Sequence, residues 1–313
     1  MSNTTEAPIE FELEAKGRNP LADFFVRLFK QKPLGAISGA IILLFLLTAI
    51  FAGRLAPFSY DVIAPPFRLK APSSKFMLGT DHLGRDIMSR VIYGARISVV
   101  VGLATAAISL FISTLIGTLC GFIGGRFDMA VQRFVDAWMC FPALILLMIA
   151  ISLVGPGLWQ VIMVLGVQWG ITGSRSVRGP VIGIRENVYV KAAIALGASN
   201  YRLMWRHIVP NITAVIIILF TTRIPGIIMT EASLSFLGLG IPPPMPSWGG
   251  MLSGSARTYM MEAPWMGIWP GVALGLLIFA TNMFGDAMRD LLDPRLKGGG
   301  GRYTMKKGKK EKS

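Results

Sequence analysis

Long uncharged stretches alternate with short polar ones along most of this chain. Leu34 to Gly53 is a run of 20 uncharged residues; as a helix rising 1.5 Å per residue it reaches about 30 Å, the thickness of a bilayer's hydrocarbon core. Ile97 to Gly125 is a second such run, bounded by Arg96 and Arg126. Ala137 to Ser174 is a third, and its 38 residues are too many for one crossing. Gly155-Pro156-Gly157 breaks it near the middle, so spans over 137–154 and 158–174 joined by a tight turn are expected. Ile208 to Thr230, apolar apart from Arg223, and Ala263 to Gly285, with 23 uncharged residues, complete six predicted spans. The first run is longer than a signal-peptide core and lacks a small-residue cleavage site, so it is expected to be retained. Pro57, Pro65, Pro66 and Pro72 mark the stretch after it as a loop. The fold expected is an all-α polytopic membrane protein with six transmembrane helices. It divides into an N-terminal segment 1–33, a membrane domain 34–298 and a basic tail 299–313.

Composition agrees: 53% of residues are hydrophobic and 15% charged, against about 25% charged in soluble domains. Disorder, a disulfide scaffold and a secreted soluble enzyme are thereby excluded. The net charge of +14 does not point to nucleic acid, because the positive residues sit between apolar runs, where they set orientation. Of the 31 Lys and Arg, 22 fall in residues 1–33, 126–136, 175–207 and 286–313. Since cytoplasmic loops are enriched in these residues, both termini are expected inside. Arg85, Arg90 and Arg96 run against that count; they suit an interfacial amphipathic helix feeding the second span, with Ile87, Val91 and Ile92 on its apolar side. The Trp residues fit belts at the two interfaces, with Trp248 in the loop after the fifth span. Cys120 and Cys140 have neither disulfide nor metal spacing.

Within the spans, Gly117, Gly121 and Gly125 recur every four residues, a small-residue face that admits a close helix neighbour in this subunit or in a partner. Arg223 and Glu231 are the ionisable exceptions, placed toward one end of the fifth span, where snorkelling or pairing at the interface accommodates them. No catalytic constellation is present. Asp81, His82 and Asp86 are a weak metal set, and no metal is expected. There is no Gly-x-x-x-x-Gly-Lys phosphate loop, so energy for uphill transport must come from elsewhere. A secondary transporter or channel would need mid-membrane carboxylates or a filter sequence, and neither is evident.

The polar segment 175–207 carries the strongest signal. Pro180 suits a helix start, and Val181, Ile184, Val188, Ala192 and Ala195 keep helical spacing. Gly197 suits a left-handed helix stop, and Ser199 or Asn200 a cap for a second short helix through Trp205. The result is a compact bend, small and apolar, able to enter a groove on a partner or to lie idle on the membrane.

YVKAAIALGASNYRLMWRHIVPN resembles the EAA loop of ABC-importer permeases, which docks onto the ATPase subunit. Ala192, Ala193, Gly197, Ile208 and Pro210 match that motif, while Lys191 stands at its Glu position and Glu186 is the nearby substitute. LGTDHLGRDIMSRVIYGARIS, EASLSFLGLGIPPPMPSWGGML and GDAMRDLLDPRLKG are similar to blocks of the C-type permease subunit of dipeptide, oligopeptide and nickel importers. The likeness covers about residues 34–298. It implies the type I importer permease fold in the inner membrane of a prokaryote. It also implies an ATPase-coupling loop that includes Glu186, Lys191, Ala192, Ala193, Leu196, Gly197, Ala198, Ser199, Ile208 and Pro210. The implied partners are a second permease subunit, two ATPases that bind ATP and Mg, an extracytoplasmic solute-binding protein and membrane lipid. This chain itself would hold no cofactor and do no catalysis. Di- or oligopeptides are the expected solutes; nickel chelates, glutathione and oligosaccharides are the alternatives.

Overall fold

The structure, a computed structural model, describes residues 20–292, which form helices and no β-strand. The basic tail, most of the N-terminal segment and the last residues of the GDAMRDLLDPRLKG block lie outside them. A short helix α1 (Pro20–Gln31) precedes α2 (Pro33–Ile50), which is apolar all round, as a lipid-facing helix must be. Next comes α3 (Ile87–Ile123), whose 37 residues make one continuous helix about 55 Å long. The separate interfacial helix expected around Arg85–Arg96 is absent: Asp86 caps α3 through Ser89, and Ile87 and Arg90 are buried. Arg96 instead donates to the carbonyls of Ala49 and Ile50, the freed acceptors at the end of α2.

Gly124 and Gly125, with φ of 69° and 58°, turn the chain into α4 (Gly125–Met139). Phe141-Pro142 then bends it by 90° into α5 (Ala143–Val154). The span expected over 137–154 is therefore shorter, beginning at Ala143. After the expected Gly155 turn (φ 93°), α6 (Leu158–Arg185) runs on through Pro180 to Arg185, well past the predicted boundary at 174. Pro180 is thus inside a helix rather than at a start. α7 (Val188–Ala195) leads to the bend, α8 (Thr213–Phe236) re-enters the bundle, and α9 (Trp265–Leu292) closes it. Among the described residues α2, α3, α8 and α9 are each long and apolar enough to cross a membrane; α4 and α5 add a fifth span if taken as one broken helix. α6 is long enough at 28 residues, but Gln160, Gln168 and its arginines make it less apolar.

Glycines set the central contact. A Cβ on Gly166 or Gly170 would meet Ile108 or Ile112 at 2.6 and 2.7 Å, and one on Gly117 would lie 2.6 Å from the Ser174 carbonyl oxygen. These pairs advance together, so α3 and α6 run parallel and packed along much of their length. α8 and α9 run antiparallel to each other, with Gly285 against Thr221 and Thr222. Lys32, at the start of α2, pairs with Asp290 near the end of α9 at 2.5 Å. Both chain ends of the bundle therefore lie at the same pole as the bend after α7.

At the opposite pole two tryptophans pin the loops. Trp248 is fully buried on Gly94 and donates its indole N–H to the Val91 carbonyl at 3.0 Å, and Trp265 sits on Gly79 and donates to the Thr80 carbonyl at 3.1 Å. Trp248, in the expected loop after α8, is therefore an internal anchor.

Candidate coupling loop and buried charges

The bend is built as its residue types require. Gly197 takes φ 79°, a left-handed conformation that glycine adopts without steric cost. Its N–H reaches the Ile194 carbonyl at 2.9 Å, and the Ala198 N–H reaches the Ala193 carbonyl at 3.0 Å. That double closure is the Schellman arrangement, and Ala193 and Ala198 are half-buried together beneath it. Ser199 then accepts from the Arg202 N–H at 3.4 Å and caps the next helical turn. From Leu203 to Ile208 the helix widens to π turns. Pro210 supplies the reason: it has no N–H, and its ring crowds the carbonyl four residues back.

One face of this segment is fixed to the bundle. Val190, Leu203, Ile208 and Ile212 are buried against Phe122 of α3 and Val177 and Val181 of α6. Each such side chain contributes about 1.5–3 kcal/mol by leaving water. The other face is bare: Val188 is 83% exposed, Leu196 89% and Tyr201 72%, with Lys191, Ala192 and Ser199 beside them. Lys191 and Glu186 form an exposed ion pair at 2.9 Å, and that hydrogen bond holds the Glu186 carboxyl below its ordinary pKa. Such a surface pair adds little to stability, so the buried face holds the knob in place. Glu186 is therefore already engaged, by the residue that stands at the motif's Glu position. The buried anchors Val190, Leu203 and Ile212 were not singled out from sequence, although their apolar recurrence was there to find.

Gly117 and Gly121 face α6 of this same chain. Gly125 does not share that face: it lies beyond the end of α3, and a Cβ there would meet nothing within 4 Å. Its positive φ, not packing, accounts for it. Below the α3 end, Asp128 of α4 accepts two bonds from Arg178 of α6 at 2.6 and 2.5 Å, and Asp136 pairs with Arg175. These ion pairs clamp α4 to α6, and no pattern along the chain reveals them.

The two ionisable span residues do not snorkel. Arg223 is 7% exposed, at the crossing of α3, α6 and α8, and donates to Ser113 Oγ at 2.8 Å and to the Gly173 carbonyl at 3.1 Å. Glu231 is fully buried further along α8 and accepts from Ser235 at 2.7 Å, with its second oxygen unbonded. They pair with hydroxyls and a carbonyl rather than with each other.

Asp81 is spent on the Leu83 and Arg85 N–H groups and on Arg85 Nε at 2.6 Å, and Asp86 on its cap. Burial is the larger influence on His82 and lowers its pKa, over an opposing pull from Asp81. Among the described residues no group of three or more His, Cys, Asp and Glu is placed to hold a metal.

The described residues thus form a helical membrane bundle with an apolar knob left bare at one pole. The chain belongs to the family described as binding-protein-dependent transport system inner membrane component, whose model matches residues 113–298. The N-terminal TM domain of oligopeptide transport permease C matches residues 19–72. It is thus an ABC-importer permease subunit and not an enzyme. A dipeptide transport system permease protein DppC from Alkalihalophilus pseudofirmus is 38% identical over 89% of this chain and 91% of its own length. The oligopeptide transport system permease protein OppC of Bacillus subtilis is 38% identical over 86% and 88%, and the glutathione transport system permease protein GsiD of Pectobacterium atrosepticum 36% over 90% and 93%.

Proposed function

We propose that this chain forms half of the translocation pathway of a peptide importer in a prokaryotic inner membrane. A second permease subunit completes the pathway, two cytoplasmic ATPases supply ATP and Mg chemistry, and an extracytoplasmic binding protein delivers the solute. The loop from Glu186 to Asn211 couples this chain to an ATPase. The observation that carries the coupling role is the knob's two-sided character: one apolar face anchored on α3 and α6, the other bare and led by Leu196. A groove that closes over Leu196, Ala192 and Ser199 would pass its motion through Val190 and Ile208 into the ends of α3, α6 and α8. Relatives named for dipeptide and oligopeptide transport support di- or oligopeptides over nickel chelates or oligosaccharides as cargo, and one named for glutathione transport supports the glutathione alternative.

Leu196→Asp tests the docking, because a residue 89% exposed is replaced without disturbing the fold. Losing one well-buried interface anchor, about 2 kcal/mol or more, should lower peptide uptake about thirtyfold at normal membrane abundance. Gly197→Trp should uncouple ATP hydrolysis from uptake, whereas Gly197→Asn, which tolerates the left-handed conformation, should keep coupling. Parental uptake by both Leu196→Asp and Gly197→Trp would reject the coupling role.

A further inference from the structure

At the pole opposite the knob, a cavity of about 510 Å³ opens between the start of α3, the loop after α8 and the turn between α5 and α6. Its volume lies within the range of about 300–1,000 Å³ usual for small-ligand sites. One wall is Asp81, His82, Arg85 and Arg90; the other is serine-rich, with Ser235, Ser247, Ser253 and Ser255. The arginine side chains are only 11% and 9% exposed, yet both lean on a single carboxylate: Arg85 Nε lies 2.6 Å from Asp81 and Arg90 Nε 3.9 Å from it. Asp81 already accepts two backbone N–H groups, and Asp86, which does not line the cavity, bonds Ser89 through Oδ2 while its buried Oδ1 has no partner. Arg90 spends one Nη on the Tyr60 carbonyl at 3.0 Å. Among the described residues no hydrogen bond takes up the other Nη groups of Arg85 and Arg90. His82 also lines the cavity, and its Nδ1 has no partner.

The spare guanidinium donors thus face the cavity without a protein partner, and a planar pair of them matches a carboxylate in geometry and charge. We propose that this cavity is a binding site for a carboxylate-bearing ligand, the C-terminal carboxylate of a transported short peptide, held by Arg85 and Arg90 while the serine wall takes the peptide amides. The assignment of the carboxylate to a peptide rests on the peptide-importer reading; the carboxylate site itself does not.

The test uses the complete importer, both permease subunits with the ATPases, in nanodiscs without the binding protein. Calorimetry follows dialanine, dialanine amide and acetate. The free acid should bind about tenfold or more tighter than the amide, the worth of a charged hydrogen-bonded pair. Arg90→Gln should erase that preference and Arg90→Lys retain part of it. ATPase activity of each variant reports intact assembly. Ser255→Trp, which fills the cavity from the far wall and touches none of the Asp81 bonds, should block acid and amide alike. Equal affinity for acid and amide in the parent, or an undiminished preference in Arg90→Gln, overturns the proposal. In a companion titration with the binding protein added, an Arg90→Gln variant that loses binding-protein docking while the parent binds no free peptide also overturns the proposal; the arginines then serve an acidic side chain of that partner. Arg90-dependent acetate binding in a complex that imports no peptide keeps the carboxylate site and rejects the peptide reading.

Discussion

Arg223 shows how a single residue fixes a helix crossing at small net cost. An arginine at the centre of a membrane helix costs about 2.5–3.5 kcal/mol on insertion scales. Hydrogen bonds from a charged donor return about 1.5–3 kcal/mol each, and Arg223 makes two, to Ser113 and Gly173. Together the two bonds, about 3–6 kcal/mol, offset the insertion cost, and the residue's further effect lies in specifying which turn of α8 meets which turn of α3 and α6. Gly173 is the other half of the arrangement: a Cβ there would fall 2.1 Å from Arg223 Nη2 and 2.6 Å from Ser113 Oγ. Gly173→Ala should therefore lower stability by about 1–3 kcal/mol, the usual cost of overpacking. Arg223→Met alone should cost less, since an apolar residue of similar length leaves no buried charge behind. The double variant should be more stable than the sum of the two, by about 0.5 kcal/mol or more. Unfolding midpoints of the four proteins in one detergent decide the matter, and strict additivity would remove the steric link.

At the scale of elements, two glycines of one spacing do different work. Gly117 faces a backbone oxygen of α6 at 2.6 Å, whereas Gly125 faces open space at φ 58°. Gly117→Ala should destabilise by about 1–3 kcal/mol through overpacking, and Gly125→Ala by about 1–2 kcal/mol through left-handed strain. Asparagine separates them, because it tolerates the left-handed region: Gly125→Asn should restore membrane abundance, and Gly117→Asn should be worse than Gly117→Ala. Immunoblots of membranes at matched expression read both outcomes, and equal rescue by Asn at the two sites would refute the division. The same pair shows what the chain's pattern reveals. Four-residue spacing marks a face only while a helix continues, and only the φ values of Gly124 and Gly125 disclose that α3 has ended. The knob was legible down to the roles of Gly197 and Ser199, because its chemistry is local in sequence. The ion pairs from Asp128 and Asp136 to α6 were not, since they join residues about 40–50 apart by contact rather than by any period, and the 90° break before α5 was hidden because Pro142 lies inside an unbroken uncharged run. Pro180 misled for a related reason: proline favours a first turn, but neighbouring helices also accommodate it within a membrane helix.

For the whole molecule, the geometry fixes which parts share a pole, and the charge pattern supports the proposal that the knob's pole is the inner one. Lys32 against Asp290 places the start of α2 and the end of α9 beside the knob. Arg68, His82 and Tyr259 gather at the other pole, with Arg68 donating to the Tyr259 hydroxyl at 2.6 Å. Among the described residues the knob's pole holds twelve Lys and Arg, from Arg27, Lys30 and Lys32 through Arg126, Arg178 and Lys191 to Arg289, against eight at the other pole, the direction of bias expected of a cytoplasmic surface. Leu196, 89% exposed, and Met261, 93% exposed, report the two poles without touching the core. In a background with Cys120 and Cys140 replaced by Ala and Ser, Met261→Cys should react with a membrane-impermeant maleimide in intact right-side-out vesicles. Leu196→Cys should react only after permeabilisation, and co-expressed ATPase should then shield it. Labelling of Leu196→Cys in sealed vesicles would invert the molecule, place the knob beyond reach of any nucleotide, and leave the arginine-lined cavity facing the cytoplasm, where no binding protein delivers cargo.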